Sequence, residues 1–270
     1  MSTRRALLFK DQGGEVNPAY LIEDYVYYGQ SLVFDSGSST FCFNTDGTKL
    51  FSATNVGVIK QYSMSTAYDI TTLTYDSVSY TFTGANIRGM DMCSTNTRVM
   101  VMDNTTNFIT ELDFTANDIS TATVGNSFNR GGAGSSLQIS PNGENILISD
   151  NTYPIGDNYM QYVLSTPNDI TTASLYVTTQ PQVDVFPFSS SFFNNGFSML
   201  VGGASNNRIY QRNLPARYDG DTGTWITSVD SSLDVSAQST GNLFDIRKTP
   251  DSTQVYFIST VSRKIYQYNL

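Results

Sequence analysis

The chain contains no histidine, and this absence excludes several kinds of site. Without an imidazole it has no Ser-His-Asp triad, no histidine metal ligand and no histidine-ligated haem. Cysteine is also scarce: Cys42 and Cys93 are too few for a disulfide framework and too far apart for a Cys-x-x-Cys motif. We therefore expect two buried thiols, and we predict no metal site and no bound cofactor.

Charge and long apolar runs are scarce as well. Charged residues make up 14% of the 270 positions, below the usual quarter, and the net charge is −9. An acidic chain repels phosphate backbones, so we expect no nucleic-acid partner. No run approaches the roughly 18 apolar residues of a membrane span. The apolar stretch 6–9 is also too short for a signal peptide. We therefore expect no membrane insertion.

What the sequence does contain is an internal repeat. Apolar alternation, a tight turn and a hydrophobic pair recur five times, with turn residues at Gly47, Asn96, Gly143, Gly196 and Ser252. Successive turn residues are 49, 47, 53 and 56 positions apart. A second motif of the form Ile-x-Gln-Tyr recurs at 59–62, 109–112, 159–162, 209–212 and 265–268. Because the two motifs recur at nearly the same interval, they indicate five repeats of the length that is typical of propeller blades.

Each repeat reads as four short strands. Its segments alternate with period 2, and Asn-Gly and Asp-Gly are hairpin turns. The predicted fold is therefore all-β: a five-bladed β-propeller of four-stranded antiparallel blades over residues 25–270. The fifth repeat ends before its fourth strand, so we predict that the N-terminal segment 26–34 completes the last blade and closes the ring.

Residues 1–24 precede the repeats and form a basic and apolar arm. The choice is between a frayed terminus and an anchor on a partner, and we favour a docking arm. Its candidate contact residues are Arg4, Arg5, Leu7, Leu8 and Phe9.

The repeat sequence resembles a known family. The phrases Asp-Gly-Thr-Lys-Leu-Phe at 46–51 and Ile-Lys-Gln-Tyr-Ser-Met-Ser-Thr-Ala-Tyr-Asp-Ile-Thr-Thr at 59–72 resemble repeats in β-propeller proteins of tailed bacteriophages. The resemblance spans residues 26–270. It implies a structural or adhesive virion protein near the tail or its fibres. Such a protein would be made in the host cytoplasm, attached to other virion proteins through the arm and able to bind a host-surface glycan.

Propellers bind ligands at the end of the ring where the loops joining strands two to three and four to one cluster. Amides, arginines and a tyrosine in these loops suit sugar hydroxyls and the apolar face of a sugar ring. The candidate rim residues are Asn86, Arg88, Asn129, Arg130, Tyr153, Asp157 and Asn206. The competing interpretation is that asparagines occur there because turns require left-handed geometry.

Two alternatives to adhesion remain open. One is a purely architectural head, neck or tail decoration protein without a receptor. The other is a bacterial carbohydrate-binding or carbohydrate-processing propeller, in which Asp91 and Asp245, on predicted innermost strands, act as paired carboxylates. Because no paired-acid motif surrounds them, we expect no enzymatic activity. The loop at 219–223 faintly resembles a calcium loop, but a lengthened turn explains it better.

Overall fold

The computed structural model describes residues 7–10, 16–83, 85–115, 117–150, 158–179, 187–203, 207–214, 217–218, 231–239, 241, 243–259 and 261–270. These residues form an all-β molecule with short 3₁₀ turns at Ile22–Asp24, Ile70–Thr72, Ile170–Thr172 and Asn194–Gly196. In the described residues no helix is long and apolar enough to cross a membrane.

The strands of the first half of the chain are β1 (Leu7–Lys10), β2 (Val16–Ala19), β3 (Val26–Gln30), β4 (Ser38–Phe43), β5 (Lys49–Thr54), β6 (Val58–Met64), β7 (Leu73–Thr81), β8 (Ile87–Met92), β9 (Arg98–Asp103), β10 (Phe108–Thr115) and β11 (Asp118–Asn129). Those of the second half are β12 (Ser136–Ile139), β13 (Asn145–Asp150), β14 (Asn158–Leu164), β15 (Ala173–Thr179), β16 (Pro187–Phe193), β17 (Ser198–Gly203), β18 (Arg208–Asn213), β19 (Ser231–Asp234), β20 (Leu243–Lys248), β21 (Gln254–Ser259) and β22 (Ile265–Asn269).

The strands form five antiparallel blades of four strands each, so the predicted five-bladed propeller is confirmed. The blades are β4–β7, β8–β11, β12–β15, β16–β19 and, for the fifth, β20-β21-β22-β3. Their first strands (β4, β8, β12, β16 and β20) contact one another in cyclic order and form the inner wall.

The ring is closed by the N-terminal strand, as predicted. Strand β3 pairs antiparallel with β22, with Tyr27 opposite Tyr268. The main-chain N–H groups of Ser31 and Phe34 extend the contact to the carbonyls of Ile265 and Arg263, at 2.9 and 2.8 Å. The first and last segments of the chain therefore share one blade.

The five turn residues adopt the backbone conformation that the sequence indicated. Each has a positive φ: 71° at Gly47, 58° at Asn96, 73° at Gly143, 87° at Gly196 and 59° at Ser252. Gly47 has a second reason to lack a side chain, because a Cβ there would lie 2.3 Å from the Tyr68 ring. The repeats therefore coincide with the structural blades.

The third residue of the Ile-x-Gln-Tyr motif, which is Gln in four repeats and Glu111 in the second, joins each blade to the next. Its side-chain oxygen accepts a hydrogen bond from a buried isoleucine N–H of the following blade in four contacts: Gln61 with Ile119 (3.0 Å), Glu111 with Ile170 (3.0 Å), Gln211 with Ile22 (2.8 Å) and Gln267 with Ile70 (3.2 Å). Gln161 instead donates to the Tyr218 carbonyl, at 2.6 Å. We call these contacts the interblade links.

The link to Ile22 places the end of the expected arm within the ring. Ile22 is fully buried in the core cluster shared by the fourth and fifth blades. Just before it, Tyr20 exchanges two main-chain hydrogen bonds with the Asn194 amide, each 3.0 Å long. Residues 20–24 therefore pack as part of the propeller. The hairpin β1–β2 precedes them, with Leu7 opposite Ala19.

The core lies between neighbouring blades. One cluster joins Phe41 and Leu50 of the first blade to Tyr256 and Ile258 of the fifth, across the closure. Both cysteines are free and buried, as expected, and burial raises the pKa of each thiol.

Candidate functional site

A cavity of about 340 Å³ opens at the end of the ring where the predicted rim loops meet. All five blades contribute to it, through Ser39, Asn86, Arg88, Asn104, Gly134, Ser135, Phe188 and Phe244. We call it the axial cavity. Its volume falls at the lower end of the range for small-molecule sites, roughly 300–1,000 Å³.

Five lining residues occupy one repeat position. Ser39, Arg88, Ser135, Phe188 and Phe244 each lie eight residues before the turn residue of their own repeat. In four blades this residue is the one left out of the strand pairing where the register shifts, between Ser38 and Thr40, Ile87 and Gly89, Pro187 and Ser189, and Leu243 and Asp245. A bulge turns a side chain away from the sheet, and here it presents one side chain per blade to the cavity.

Aromatic rings and a guanidinium are part of the lining of the axial cavity. The rings of Phe188 and Phe244 meet edge to face, with centroids 5.4 Å apart. The Arg88 Cζ lies 6.0 Å from the Phe244 centroid, within reach of a cation–π contact. Burial lowers the pKa of Arg88, yet it stays protonated at any physiological pH. The cavity therefore combines flat apolar faces with one fixed positive charge.

Two amides of the second blade, Asn86 and Asn104, also line the axial cavity. The main-chain N–H of Asn86 donates to Asp103 Oδ1 at 2.7 Å, while Asn86 Oδ1 is buried and has no hydrogen-bond partner. Both polar atoms of the Asn104 side chain are hydrogen-bonded within the protein. Its Nδ2 donates to the Gly134 carbonyl at 2.7 Å, and its Oδ1 accepts from the Gly134 N–H at 3.0 Å. Asn104 therefore fixes the wall, and Asn86 Oδ1 is a buried acceptor that is left unsatisfied.

The structure brings together two of the predicted rim residues, Asn86 and Arg88. Asn129 and Arg130 do not line the axial cavity. Asn129 is exposed and its Oδ1 accepts from the Gly131 N–H at 2.9 Å, the turn role that the competing interpretation assigned to it. Arg130 is 6% exposed and lies behind the wall, where its Nη2 donates to Asn104 Oδ1 at 2.5 Å.

The remaining predicted residues are only partly described. Tyr153, Asp157 and Asn206 lie outside the described residues, as do Arg4, Arg5 and the loop at 219–223. Leu7, Leu8 and Phe9 belong to β1, whose backbone pairs with β2. Sequence reasoning missed Phe188 and Phe244. Aligning the five repeats on their turn residues was the available signal, since it places both at the position of Arg88.

Arg247 crosses the channel between the inner strands. It is 3% exposed, and its guanidinium donates to main-chain carbonyls of three other blades: Phe41 (2.8 Å), Met90 (2.7 Å) and Leu137 (3.0 Å). Its Nη2 also pairs with Asp245 Oδ2 at 2.9 Å, and its Nη1 lies 3.5 Å from Asp91 Oδ2. One side chain therefore ties four blades together.

The two carboxylates of the glycosidase alternative both belong to this network. Asp245 is fully buried, and its Oδ2 accepts from Thr40 Oγ1 at 2.7 Å and from the Phe41 N–H at 3.2 Å. Asp91 Oδ2 accepts from the Ile139 N–H at 2.8 Å. Burial raises the pKa of Asp91, and it raises that of Asp245 to about 6, while Arg247 opposes both shifts. Both carboxylates thus hold neighbouring blades together.

A second cavity of about 340 Å³ lies at the opposite end of the ring. Its walls include the rings of Phe43, Tyr68 and Phe192 and the side chain of Lys248. Burial lowers the pKa of Lys248 to about 8, although Asp91 and Asp251 raise it in part. Of the candidate residues named from the sequence, Asp91 also lines this cavity. Elsewhere, the described residues contain no cluster of three or more Cys, Asp or Glu side chains able to hold a metal ion.

The comparisons with known proteins bear on the fold alone. No protein-family model and no curated protein matches the chain. Among solved structures, the chain is similar to the β-propeller domain of Cps50 (Swd1) from Myceliophteria thermophila, with a TM-score of 0.52 and 10% identity. The match covers 91% of this chain and 99% of the other. At that identity the likeness supports a β-propeller and carries no activity across.

Proposed function

We propose that this chain is an adhesive β-propeller that binds a glycan in the axial cavity and serves as a virion component of a tailed phage, near the tail or its fibres. The observation that carries the binding proposal is the composition of the axial cavity. Two phenylalanine rings and the Arg88 guanidinium line one cavity at the ring end where propeller loops converge.

These groups match the two faces of a sugar. The C–H face of a pyranose packs against an aromatic ring, which Phe188 and Phe244 supply. Its hydroxyls need hydrogen-bonding groups at fixed positions, and the Arg88 N–H groups supply donors. Because the side chains sit on inner strands tied to their neighbours, the cavity is pre-organised, which reduces the entropy cost of binding.

The virion part of the proposal rests on the resemblance of the repeats at 46–51 and 59–72 to phage propeller repeats. It is tested by immunogold electron microscopy on purified particles of a phage that encodes this chain. Gold at the tail or fibre tips supports the adhesin. Gold on the head or neck favours the architectural alternative, and intact particles without gold contradict a virion role.

The binding part is tested on a glycan array with the purified chain and Phe244→Ala. Removing one stacking face is expected to reduce the signal for bound glycans by about tenfold, because a buried aromatic contact contributes on the order of 1–2 kcal/mol. Tyr75→Ala is the matched control, since Tyr75 is an exposed aromatic on the outer strand β7. Equal losses in both variants, or no glycan signal at all, would contradict the proposal.

The geometry does not favour the carbohydrate-processing alternative through the two predicted carboxylates. A general acid and a nucleophile must reach the substrate. Asp91 lines the second cavity, but Asp245 is fully buried, and both carboxylates are bound to Arg247 and to main-chain N–H groups of the next blade. The carbohydrate-processing alternative would be supported if the chain released sugar and if Asp91→Asn or Asp245→Asn abolished that release without unfolding the protein.

A further inference from the structure

We infer that the axial cavity selects an acidic sugar, one that carries a carboxylate on the residue bound there. This inference rests on the proposed glycan binding and specifies its ligand class. It follows from the state of Arg88 and from the charges around it.

Arg88 is a half-buried cation without a counter-ion. In the part of the chain that the structure describes, its guanidinium makes no hydrogen bond and no ion pair, and its contact is with the Phe244 ring. Three arginines at other strand positions are paired: Arg98 with Asp113, Arg208 with Asp234 and Arg247 with Asp245. A partly desolvated charge without a partner costs stability, which a bound anion would recover.

The described surroundings of Arg88 add no negative charge to the cavity lining. Among the described residues, that lining includes no aspartate and no glutamate. The nearby Asp103 carboxylate points to other partners: it accepts from the main-chain N–H groups of Asn86 and Thr105, and from Thr106 Oγ1 at 2.7 Å. Although the whole chain carries −9, the described lining of the axial cavity carries one positive charge, that of Arg88. Long-range repulsion of an anion is screened beyond about 8 Å at physiological salt.

The geometry suits a carboxylate on a sugar ring. The Arg88 Cζ lies 6.0 Å from the Phe244 centroid, and the guanidinium donates to no described residue. Its planar N–H fork therefore remains for a ligand, and it matches the two oxygens of a carboxylate. The rings of Phe188 and Phe244 offer an apolar surface to the sugar ring. A neutral hexose would fill the same volume but leave Arg88 unpaired.

The test compares two matched ligand pairs by isothermal titration calorimetry: methyl β-glucuronide with methyl β-glucoside, and methyl β-galacturonide with methyl β-galactoside. Each pair differs in one carboxylate. The proteins are the intact chain, Arg88→Gln and Arg263→Gln. Arg263 is the control, because it is an exposed arginine in the loop between β21 and β22, at the same end of the ring.

In the intact chain and in Arg263→Gln, an acidic sugar of at least one pair is expected to bind about tenfold or more tightly than its neutral partner, since the difference is one charge-assisted bidentate contact. In Arg88→Gln the preference is expected to disappear while neutral-sugar binding persists. Equal binding of acid and neutral sugar by the intact chain overturns the acidic selection alone. An unchanged preference in Arg88→Gln also overturns it. Absence of binding by all four sugars overturns glycan binding in this cavity as well.

Discussion

Gln211 offers the sharpest test of how the ring is held together, because its link fixes the N-terminal segment. Its Oε1 accepts from the fully buried Ile22 N–H at 2.8 Å, and its Nε2 donates to the Tyr20 carbonyl at 3.0 Å. In Gln211→Leu the Ile22 N–H stays buried and loses its acceptor. An unpaired buried donor costs roughly 1–3 kcal/mol. Ring closure depends on the strand that follows Ile22, so this loss should lower the stability of the whole propeller.

The assay is equilibrium unfolding in urea followed by circular dichroism, with the free energy of unfolding extrapolated to water. We expect a loss of about 2 kcal/mol, which for a domain of this size lowers Tm by roughly 4–8 °C. Gln30→Leu is the control, since Gln30 is an exposed glutamine on β3 and makes no interblade link. A loss below about 0.5 kcal/mol in Gln211→Leu, the usual range for a surface substitution, would refute the structural role assigned to the links.

Three further predictions concern buried charges. Arg247→Met removes the cation between two carboxylates and should cost about 3–5 kcal/mol in urea unfolding, whereas an effect near zero would contradict the channel network. Burial raises the pKa of Asp245 to about 6 from an ordinary 3.8, so the folded state holds this proton more tightly. Its contribution to stability therefore falls as pH rises from about 4 to about 6. Between pH 5 and pH 7 the free energy of unfolding of the intact chain should fall by roughly 1 kcal/mol relative to that of Asp245→Asn. A rise over the same interval would contradict the raised pKa of Asp245. Lys248 has a pKa lowered to about 8, so at pH 8 about half of it is the neutral amine. A small acetylating reagent followed by peptide mass spectrometry should modify Lys248 before the other lysines, and modification at Lys248 last would contradict its placement in an accessible cavity.

Much of the fold was predictable because the repeat signals are local. Turn chemistry requires a positive φ at Gly47 and at its counterparts, and alternation marks the strands around each turn. Closure by β3 followed from counting strands, since the fifth repeat lacks its fourth. The end of the arm was not predictable in the same way. Ile22 makes the link that Ile70 makes in the first blade, yet it lacks the Asp-Ile-Thr-Thr motif around it.

The site was only half predictable, for a physical reason. Asn86 and Arg88 are polar residues in a loop or at its edge, so composition points to them. Phe188 and Phe244 look like ordinary strand residues, and only the bulge at their position turns them from the sheet towards the axis. For the channel carboxylates, the position was predictable but the chemical role was not. Asp91 was correctly placed on an inner strand, but its chemistry depends on Arg247, which the chain supplies 156 residues later.

Comparing equivalent positions of the five repeats distinguishes the residues that hold the ring together from those that line the axial cavity. In every blade the third residue of the Ile-x-Gln-Tyr motif, an amide or a carboxylate, makes the interblade link. Because all blades need this contact, the contact accounts for the recurrence of a Gln or Glu at that position. Eight residues before each turn the chain instead carries Ser, Arg, Ser, Phe and Phe, at Ser39, Arg88, Ser135, Phe188 and Phe244. No contact shared by the blades requires such a set. It makes the axial cavity asymmetric, with a cation and aromatic rings on some blades and small hydroxyls on others. A ring built from five similar blades can then recognise a ligand that lacks five-fold symmetry, such as one sugar with a carboxylate on one side.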